Sequence, residues 1–367
     1  MLDNIGLIRD LITKDAIRIC NSSIFSKTPQ VLLSDFDFGK VEGMLLGVAI
    51  GDALGATTEG KLPADRHLLF GEIRNYTPGR RSDNRAIGVP TDDTQLTFWT
   101  LKQLILDGGL IPDNLAKRFC KHRITGIGGT TRGFVNNYKE KRFPWYTAGL
   151  DSLGNGALMR IAPIVVPYIR NPHPSMYADA ALDTMITHNA FGNTAACVSF
   201  IAMLWELLAM SSPPEPYWWL DTYCSVAREL EGDAQYRPHI SNFAHYQGPL
   251  WQFTDKVVRE ALSRRMTVLE ACNWWGSGAS LFETVPSVLY ILAIHAGNAE
   301  EAIIRAVNDT KDNDTIAAIV GAAVGALHGL KGIPDRWIDG LTGRTGSSDD
   351  GEVFKLIFRA KKAFWSR

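Results

Sequence analysis

The sequence is poor in cysteine, in net charge and in long apolar runs, and each shortage removes a class of protein. Its five cysteines (Cys20, Cys120, Cys197, Cys224 and Cys272) are scattered, and no two form a Cys-x-x-Cys pair. This speaks against a zinc ribbon or a disulfide framework and predicts reduced thiols and a cytoplasmic home. Lysine and arginine number 38 against 39 acids, a net charge of -1. So even a balance gives no footing for nucleic acid or an anionic membrane as partner. The opening Met1-Leu2-Asp3-Asn4-Ile5-Gly6 places an acid early and lacks the basic start of a signal peptide. No stretch reaches the roughly 18 unbroken apolar residues of a membrane span; the run Phe200 to Met210 is too short and holds Glu206. Alternating strand patterns are also missing. What remains is a chain of 367 residues, 46% hydrophobic and 21% charged, with helical periodicity throughout. The expected fold is all-α: one large helical domain over residues 39–367, preceded by an N-terminal extension over residues 1–38.

Against this plain background two acidic clusters stand out. Thr91-Asp92-Asp93-Thr94 leads into an apolar helical run from Gln95 to Leu106, and Asp312-Asn313-Asp314-Thr315 leads into Ile316–Leu330. One such residue would cap a helix and complement its positive end; three together exceed what capping needs. The second run has almost no polar residue, so it predicts a central, buried helix, and carboxylates at its mouth would be costly to bury without a partner. Lys311 is the one basic neighbour. Carboxylates and hydroxyls are hard oxygen ligands, suited to Mg²⁺, Mn²⁺ or Ca²⁺ rather than Zn²⁺. Two such clusters suit a pair of ions about 3.5–4 Å apart, able to orient a ligand and activate water.

The rest of the chain is read around that centre. Ile5, Ile8, Leu11, Ile12 and Ile19 make a rough helical stripe in the extension, which either packs on the main body or meets a partner. Gly43, Gly47, Gly51 and Gly55 recur every fourth residue. Each costs a helix about 1 kcal/mol relative to alanine, so the row predicts a helix whose backbone a neighbour approaches closely. Asp52 then falls in a tightly packed centre, and Glu59 beyond the helix end. Residues 61–90 read as an irregular, functional loop. Gly126-Ile127-Gly128-Gly129-Thr130-Thr131-Arg132-Gly133 and Gly149-Leu150-Asp151-Ser152-Leu153-Gly154-Asn155-Gly156 are glycine-rich, of the kind that lets backbone N–H groups approach phosphates. Neither follows a strand, so neither is a Rossmann fingerprint. Ala157–Pro163 reads as a helix; 217–250 reads as aromatic and loop-like. His188 is either a ligand contact or a satisfied core histidine.

Taken together, Gly43-x-x-x-Gly47-x-x-x-Gly51-Asp52-Ala53-Leu54-Gly55, Thr91-Asp92-Asp93-Thr94, Gly154-Asn155-Gly156-Ala157-Leu158-Met159-Arg160 and Asp312-Asn313-Asp314-Thr315-Ile316-Ala317 resemble the ADP-ribosylglycohydrolase family, of the dinitrogenase-reductase-activating type. The resemblance runs in order from about residue 38 to 335. It implies an all-helical fold, two divalent cations (Mg²⁺ or Mn²⁺), and hydrolysis of ADP-ribose from a protein side chain, most often arginine. It implies Thr91, Asp92, Asp93, Asp312, Asp314 and Thr315 as metal ligands. Gly128, Thr130, Thr131, Ser152, Gly154, Asn155, Gly156, Met159 and His188 would line the ADP-ribose site. Glu59, Asp92 and Asp312 would carry catalysis, with water at the metals oriented by Asp92 or Asp312 and Glu59 nearby. One departure is Thr310-Lys311, where many members have Gly-Gly before the second cluster. Some members resemble immunity proteins against ADP-ribosyltransferase toxins, and residues 1–38 would then be an arm that blocks the toxin. The competing readings are a binding or inhibitor protein with a vestigial site, and an aspartyl phosphatase built on Asp312-x-Asp314-Thr315. The latter needs an apolar strand before the motif, where a capped helix is expected instead.

Overall fold

The computed structural model describes residues 3–32, 35–347 and 349–366. Seventeen α-helices follow one another among the described residues: α1 (Asn4–Thr13), α2 (Gly39–Gly55), α3 (Pro63–Phe70), α4 (Asp92–Asp107), α5 (Pro112–Lys121), α6 (Gly129–Lys139), α7 (Trp145–Ala148), α8 (Ser175–Thr187), α9 (Phe191–Ala209), α10 (Pro216–Glu231), α11 (Leu250–Ser263), α12 (Val268–Trp275), α13 (Leu281–His295), α14 (Ala299–Asp309), α15 (Asn313–His328), α16 (Asp335–Gly340) and α17 (Glu352–Phe364). Short 3₁₀ turns join some of them, and four isolated bridges are the only β pairing among the described residues. The fold is all-α.

The centre is the antiparallel pair α2 and α15. Both are buried on every side, as their lack of polar positions requires. They touch backbone to backbone. A Cβ placed on Gly47 would run into the Gly321 carbonyl, one on Gly51 into the Ala317 carbonyl, and one on Gly55 into the Asp314 backbone. The contact is mutual: Gly321 and Gly325 face the Gly47 and Gly43 carbonyls in the same way. The row of glycines is thus a groove that fixes the depth and register of α15. It brings the C-terminal end of α2, with Asp52, against the N-terminal end of α15, with Asp314. Around the pair stand α4, α9, α13 and α14. Among them, α9 is long and apolar enough to cross a membrane, but it lies buried in the protein core.

Residues 3–32 lie along this body. Ile8, Leu11, Ile17, Ile19, Ile24 and Phe25 are buried in the common core. Asn4 Nδ2 donates to the Leu110 carbonyl at 3.0 Å and to Asp179 Oδ1 at 2.6 Å. Asn189 accepts from the Arg18 N–H at 2.9 Å and donates to the Ala16 carbonyl at 2.8 Å.

Three segments differ from the sequence expectation. Residues 61–90 contain helix α3, with Pro63 at its first position. Its one buried side chain is Arg66, while Leu68 and Leu69 face outward, so no apolar stripe marks it. Residues 217–250 contain α10, which buries Trp219, Leu220, Tyr223, Ala227 and Leu230 on one face; the dense aromatics hid an ordinary amphipathic pattern. Residues 158–168 form 3₁₀ turns rather than an α-helix, consistent with Pro163 and Pro167, whose missing N–H groups break an α-helical ladder.

If the glycine groove sets the depth of α15, Gly51→Ala should lower the thermal midpoint by several degrees, the effect of an overpacked core of about 1–3 kcal/mol or more. Gly297→Ala, where the added methyl meets nothing nearer than Pro213 Cγ at 3.9 Å, should leave it unchanged. Equal melting curves for wild type and Gly51→Ala would contradict the role given to the groove.

Candidate metal centre and ligand cavity

The first acidic cluster is folded around Asp52. Its carboxylate accepts the Thr91 N–H at 2.8 Å, the Thr94 N–H at 3.0 Å and the Thr94 hydroxyl at 2.5 Å. This ties the first turn of α4 to α2 and satisfies orphan N–H groups of the helix start. Thr91 Oγ1 donates to Asp93 Oδ2 at 3.0 Å. Asp93 Oδ1 is buried with no hydrogen-bond partner.

The second cluster is set by the neighbours of Asp312. Its N–H donates to the Ser277 carbonyl at 2.8 Å, and its Oδ2 accepts from Asn155 Nδ2 at 2.6 Å. Asn155 is itself held by Thr284 Oγ1 at 3.0 Å and by the Ala279 carbonyl at 2.9 Å. Glu283 shapes the supporting loop: its Oε2 accepts the Gly278 N–H at 2.6 Å, and a Cβ at Gly276 or Gly278 would strike it. Asn313, fully buried, donates to Thr58 Oγ1 at 2.9 Å. Arg66 donates to Thr58 Oγ1 at 3.0 Å and to the Thr310 carbonyl at 2.8 Å. The end of α2 and the approach to α15 are therefore stitched together.

The two clusters meet in one cavity of about 200 Å³. Of the sequence-predicted residues, Glu59, Asp92, Asp93, Gly128, Thr130, Thr131, Gly154, Asn155, Gly156, Met159, His188, Asp312, Asp314 and Thr315 line it. Thr91 and Ser152 do not, but each holds a residue that does: Thr91 through Asp93, and Ser152 through Thr130 Oγ1, 2.8 Å from its hydroxyl, and the Gly154 N–H at 3.2 Å. Gly126 and Gly129, from the first glycine-rich segment, and Ala279 line it as well. Asn193 was missed: it clamps the second glycine loop by donating to the Ser152 carbonyl at 2.6 Å and the Gly154 carbonyl at 3.1 Å. No local pattern marks a lone asparagine in an apolar helix.

Two kinds of group meet at the cavity. Behind and along it, Asp52, Asp93 and Asp314 each bring a carboxylate oxygen within 4.8 Å of the others, and all three are buried. Asp92 and Asp312 stand beside them. Glu59 is half-exposed at the mouth, 3.4 Å from Arg81. The rest of the lining is hydroxyls, glycines, His188 and the start of α6, whose first N–H groups have no partner within the helix. Nothing lies within 4 Å of a Cβ placed on Gly128 or Gly129.

Burial drives the carboxyls of the two acidic clusters upward. Asp92 rises to about 7, through burial and then the field of Asp52. Asp312 rises to about 6, through burial, opposed by the Asn155 amide. Asp93 and Asp314 are raised well above the usual range by burial and by the surrounding carboxylates. Arg66, lowered by burial to about 10, remains charged at neutral pH, yet its N–H groups go to a hydroxyl and to carbonyls. The excess of buried negative charge, the unpartnered Asp93 oxygen and the all-oxygen donor set fit hard divalent cations. Because both carboxylate oxygens of Asp52 already accept from N–H and O–H donors, Asp92, Asp93, Asp312 and Asp314, with Thr91 and Thr315, are the residues that would hold them.

Comparison with known proteins places the chain in a family. A sequence model of the family described as ADP-ribosylglycohydrolase matches residues 34–361. The ADP-ribosylhydrolase ARH3 of Xenopus tropicalis is 26% identical over 349 residues, covering 87% of this chain and 95% of that protein. The ADP-ribosylarginine hydrolase Tri1 of Pseudomonas putida (strain GB-1) is 27% identical over 313 residues, covering 82% and 73%. A solved structure titled ADP-ribosylglycohydrolase-related protein complex superposes with a TM-score of 0.62 at 23% identity, covering 90% of this chain and 99% of that one; at that identity the likeness concerns the fold.

The raised carboxyls have a consequence for stability. Their folded-state values lie above the unfolded value of 3.8, so the folded chain keeps protons that the unfolded chain has released. Their contribution is intact below about pH 4 and is lost as pH climbs through 6 and 7. Asp179 and Glu231, buried elsewhere and raised to about 7, act in the same direction. The metal-stripped protein should thus lose thermal stability between pH 5 and 7.5, and Asp92→Asn should lose less. Mg²⁺ or Mn²⁺ should restore it, by about 2.7 kcal/mol at a hundredfold excess over Kd, with a larger shift at pH 7.5 than at 5.5 because protons compete for the ligands. Melting curves with no response to either cation would contradict the assignment.

Proposed function

The chain belongs to the ADP-ribosylglycohydrolase family, and from that premise we propose that it is a divalent-metal-dependent hydrolase that removes mono-ADP-ribose from protein side chains, arginine foremost. One observation carries the reading: a single cavity is lined both by carboxylates of the two acidic clusters and by glycines, hydroxyls and a helix start. ADP-ribose suits such a lining: its ribose hydroxyls would meet the cations, and its diphosphate the N–H groups of the glycine-rich segments and of the α6 start. Arginine is favoured because Glu59, carboxylate-bearing and half-exposed at the mouth, already accepts a guanidinium, that of Arg81, at 3.4 Å.

When bound, the two cations, Mg²⁺ or Mn²⁺, supply Lewis acidity that holds ribose hydroxyls and makes water a better nucleophile. The chain does the rest. Asn155 fixes Asp312, and Asp52 fixes the turn that carries Asp92 and Asp93. In the reaction the water oxygen forms a bond to the anomeric carbon while the bond from that carbon to the guanidinium nitrogen breaks. The leaving group departs as neutral guanidine. The proton lost by water passes to a carboxylate, and an equivalent proton restores the guanidinium. Glu59, which the protein holds through one long contact to Arg81, is the carboxylate with freedom to follow the leaving group; Asp92 and Asp312 face the water.

A finer reading adds immunity: residues 1–38 lie almost wholly outside the matched family region and would meet an ADP-ribosyltransferase toxin. The outward charges Arg9, Asp10, Lys14 and Asp15 on and after α1 support it, as a docked surface rather than a free arm. Its test is titration of the intact chain and of Arg9→Glu/Lys14→Glu against an arginine-specific ADP-ribosyltransferase. Stoichiometric inhibition lost in the variant supports it; no inhibition by either protein removes it.

The central reading is tested by ADP-ribose release from an arginine-ADP-ribosylated protein, with Mg²⁺ and with EDTA. Release should require metal and fall more than the ~10–100-fold typical of outer partners in Asp312→Asn. Failure to release from arginine or any other linkage, with metal present, would favour a binding or inhibitor protein with a vestigial site.

A further inference from the structure

Behind His188, on the side away from the cavity, runs a chain of buried side chains. Arg160 and Asp183 form an ion pair that is closed to solvent on both sides. Arg160 Nη1 donates to Asp183 Oδ1 at 2.5 Å; Nη2 donates to the Asp183 carbonyl at 3.0 Å and to Thr187 Oγ1 at 3.0 Å. The guanidinium also lies 4.7 Å from the centre of the Phe119 ring, which holds it in place. Thr187 Oγ1 in turn lies 2.8 Å from His188 Nδ1. The backbone of the same stretch is tied to the second glycine loop: the Leu150 N–H donates to the Thr187 carbonyl at 3.1 Å, and the Asn189 N–H to the Leu150 carbonyl at 2.7 Å.

Donor and acceptor counting gives the direction of the chain. A guanidinium has no lone pair to offer, so Thr187 must accept from Arg160. The single hydroxyl hydrogen of Thr187 is then free to donate, and His188 Nδ1 is the acceptor in reach. Polarisation by Arg160 strengthens that sense. In the opposite arrangement, with Nδ1–H donating, the hydroxyl hydrogen of a fully buried residue would have no partner. Burial and the nearby Arg160 also keep the imidazole neutral, pulling it down to about 3. A neutral ring whose Nδ1 accepts carries its proton on Nε2. That nitrogen faces the cavity above the turn Gly154-Asn155-Gly156: a Cβ at Gly154 would lie 3.5 Å from it, and one at Gly156 3.3 Å. Glycine at both positions leaves the space over Nε2 open to a ligand.

We infer that Asp183, Arg160 and Thr187 are positioning residues that fix His188 as the Nε2–H tautomer, so that it presents a hydrogen-bond donor to the ligand. The ligand group it selects is an oxygen lone pair, on a phosphate or on a ribose hydroxyl. The ligand half of this inference rests on the proposed ADP-ribose reading; the tautomer does not.

The experiment separates the two. Long-range ¹H–¹⁵N correlation of histidine-labelled, ligand-free protein should show His188 with its protonated nitrogen at Nε2 and an unprotonated Nδ1. Thr187→Val, which keeps the shape and removes the hydroxyl, should lose that fixed pattern, and Thr187→Ser should keep it. Binding of ADP-ribose with Mg²⁺, by calorimetry, should weaken about tenfold in Thr187→Val, the scale of one hydrogen bond, and recover in Thr187→Ser. An Nδ1–H pattern in the wild type, or an unchanged Nε2–H pattern in Thr187→Val, overturns the inference. If Thr187→Val does not fold, the wild-type and Thr187→Ser spectra still decide the tautomer. The Nε2–H pattern with no ADP-ribose binding would support the relay and count against the proposed function alone.

Discussion

Everything at the site depends on how closely α2 and α15 approach. Carboxylates repel, and burying several of them is costly, so a chain that collects them needs a rigid frame that leaves them no freedom to part. Glycine carbonyl against glycine Cα supplies it. The groove of Gly43, Gly47, Gly51 and Gly55 allows no side chain between the two helices, and at its open end it leaves Asp52 and Asp314 facing each other. The helical cost of each glycine is repaid in register.

From that frame the site grows by bridges across long stretches of sequence. Asp52 reaches the first turn of α4, Asn155 reaches Asp312, and Arg66 spans the end of α2 and the residues before α15. Of these, Asp52 and Arg66 do not line the cavity, and Asn155 does. Together they decide where Asp92, Asp93, Asp312 and Asp314 stand, and hence that the acidic groups gather at one cavity. The second glycine loop is clamped by Asn193 and packed against His188.

The sequence made the ends of this arrangement legible and hid its supports. Thr91–Thr94 and Asp312–Thr315 were visible because ligand-type residues crowd directly before apolar helices. The glycine row was visible because its cost demands a reason. Asn193, Glu283, Ser277 and Arg66 were not, since each is a single polar residue whose partner is set by tertiary contact rather than by spacing. Helix α3 escaped for the opposite reason: it buries an arginine and shows leucines to solvent, which inverts the pattern by which helices are found. Asp52 was placed in the packed centre, but its role as the bracket of α4 required knowing which turn lies against it.

The central claim is that the α2–α15 frame poises Asp92, Asp93, Asp312 and Asp314 to hold divalent cations. Anomalous diffraction from crystals grown with Mn²⁺ tests it most directly. The account predicts two manganese peaks between the Thr91–Asp93 turn and the Asp312–Thr315 turn, bound by carboxylate and hydroxyl oxygens. A cavity with no peak at saturating Mn²⁺, its carboxyls instead paired with one another through shared protons, would contradict it.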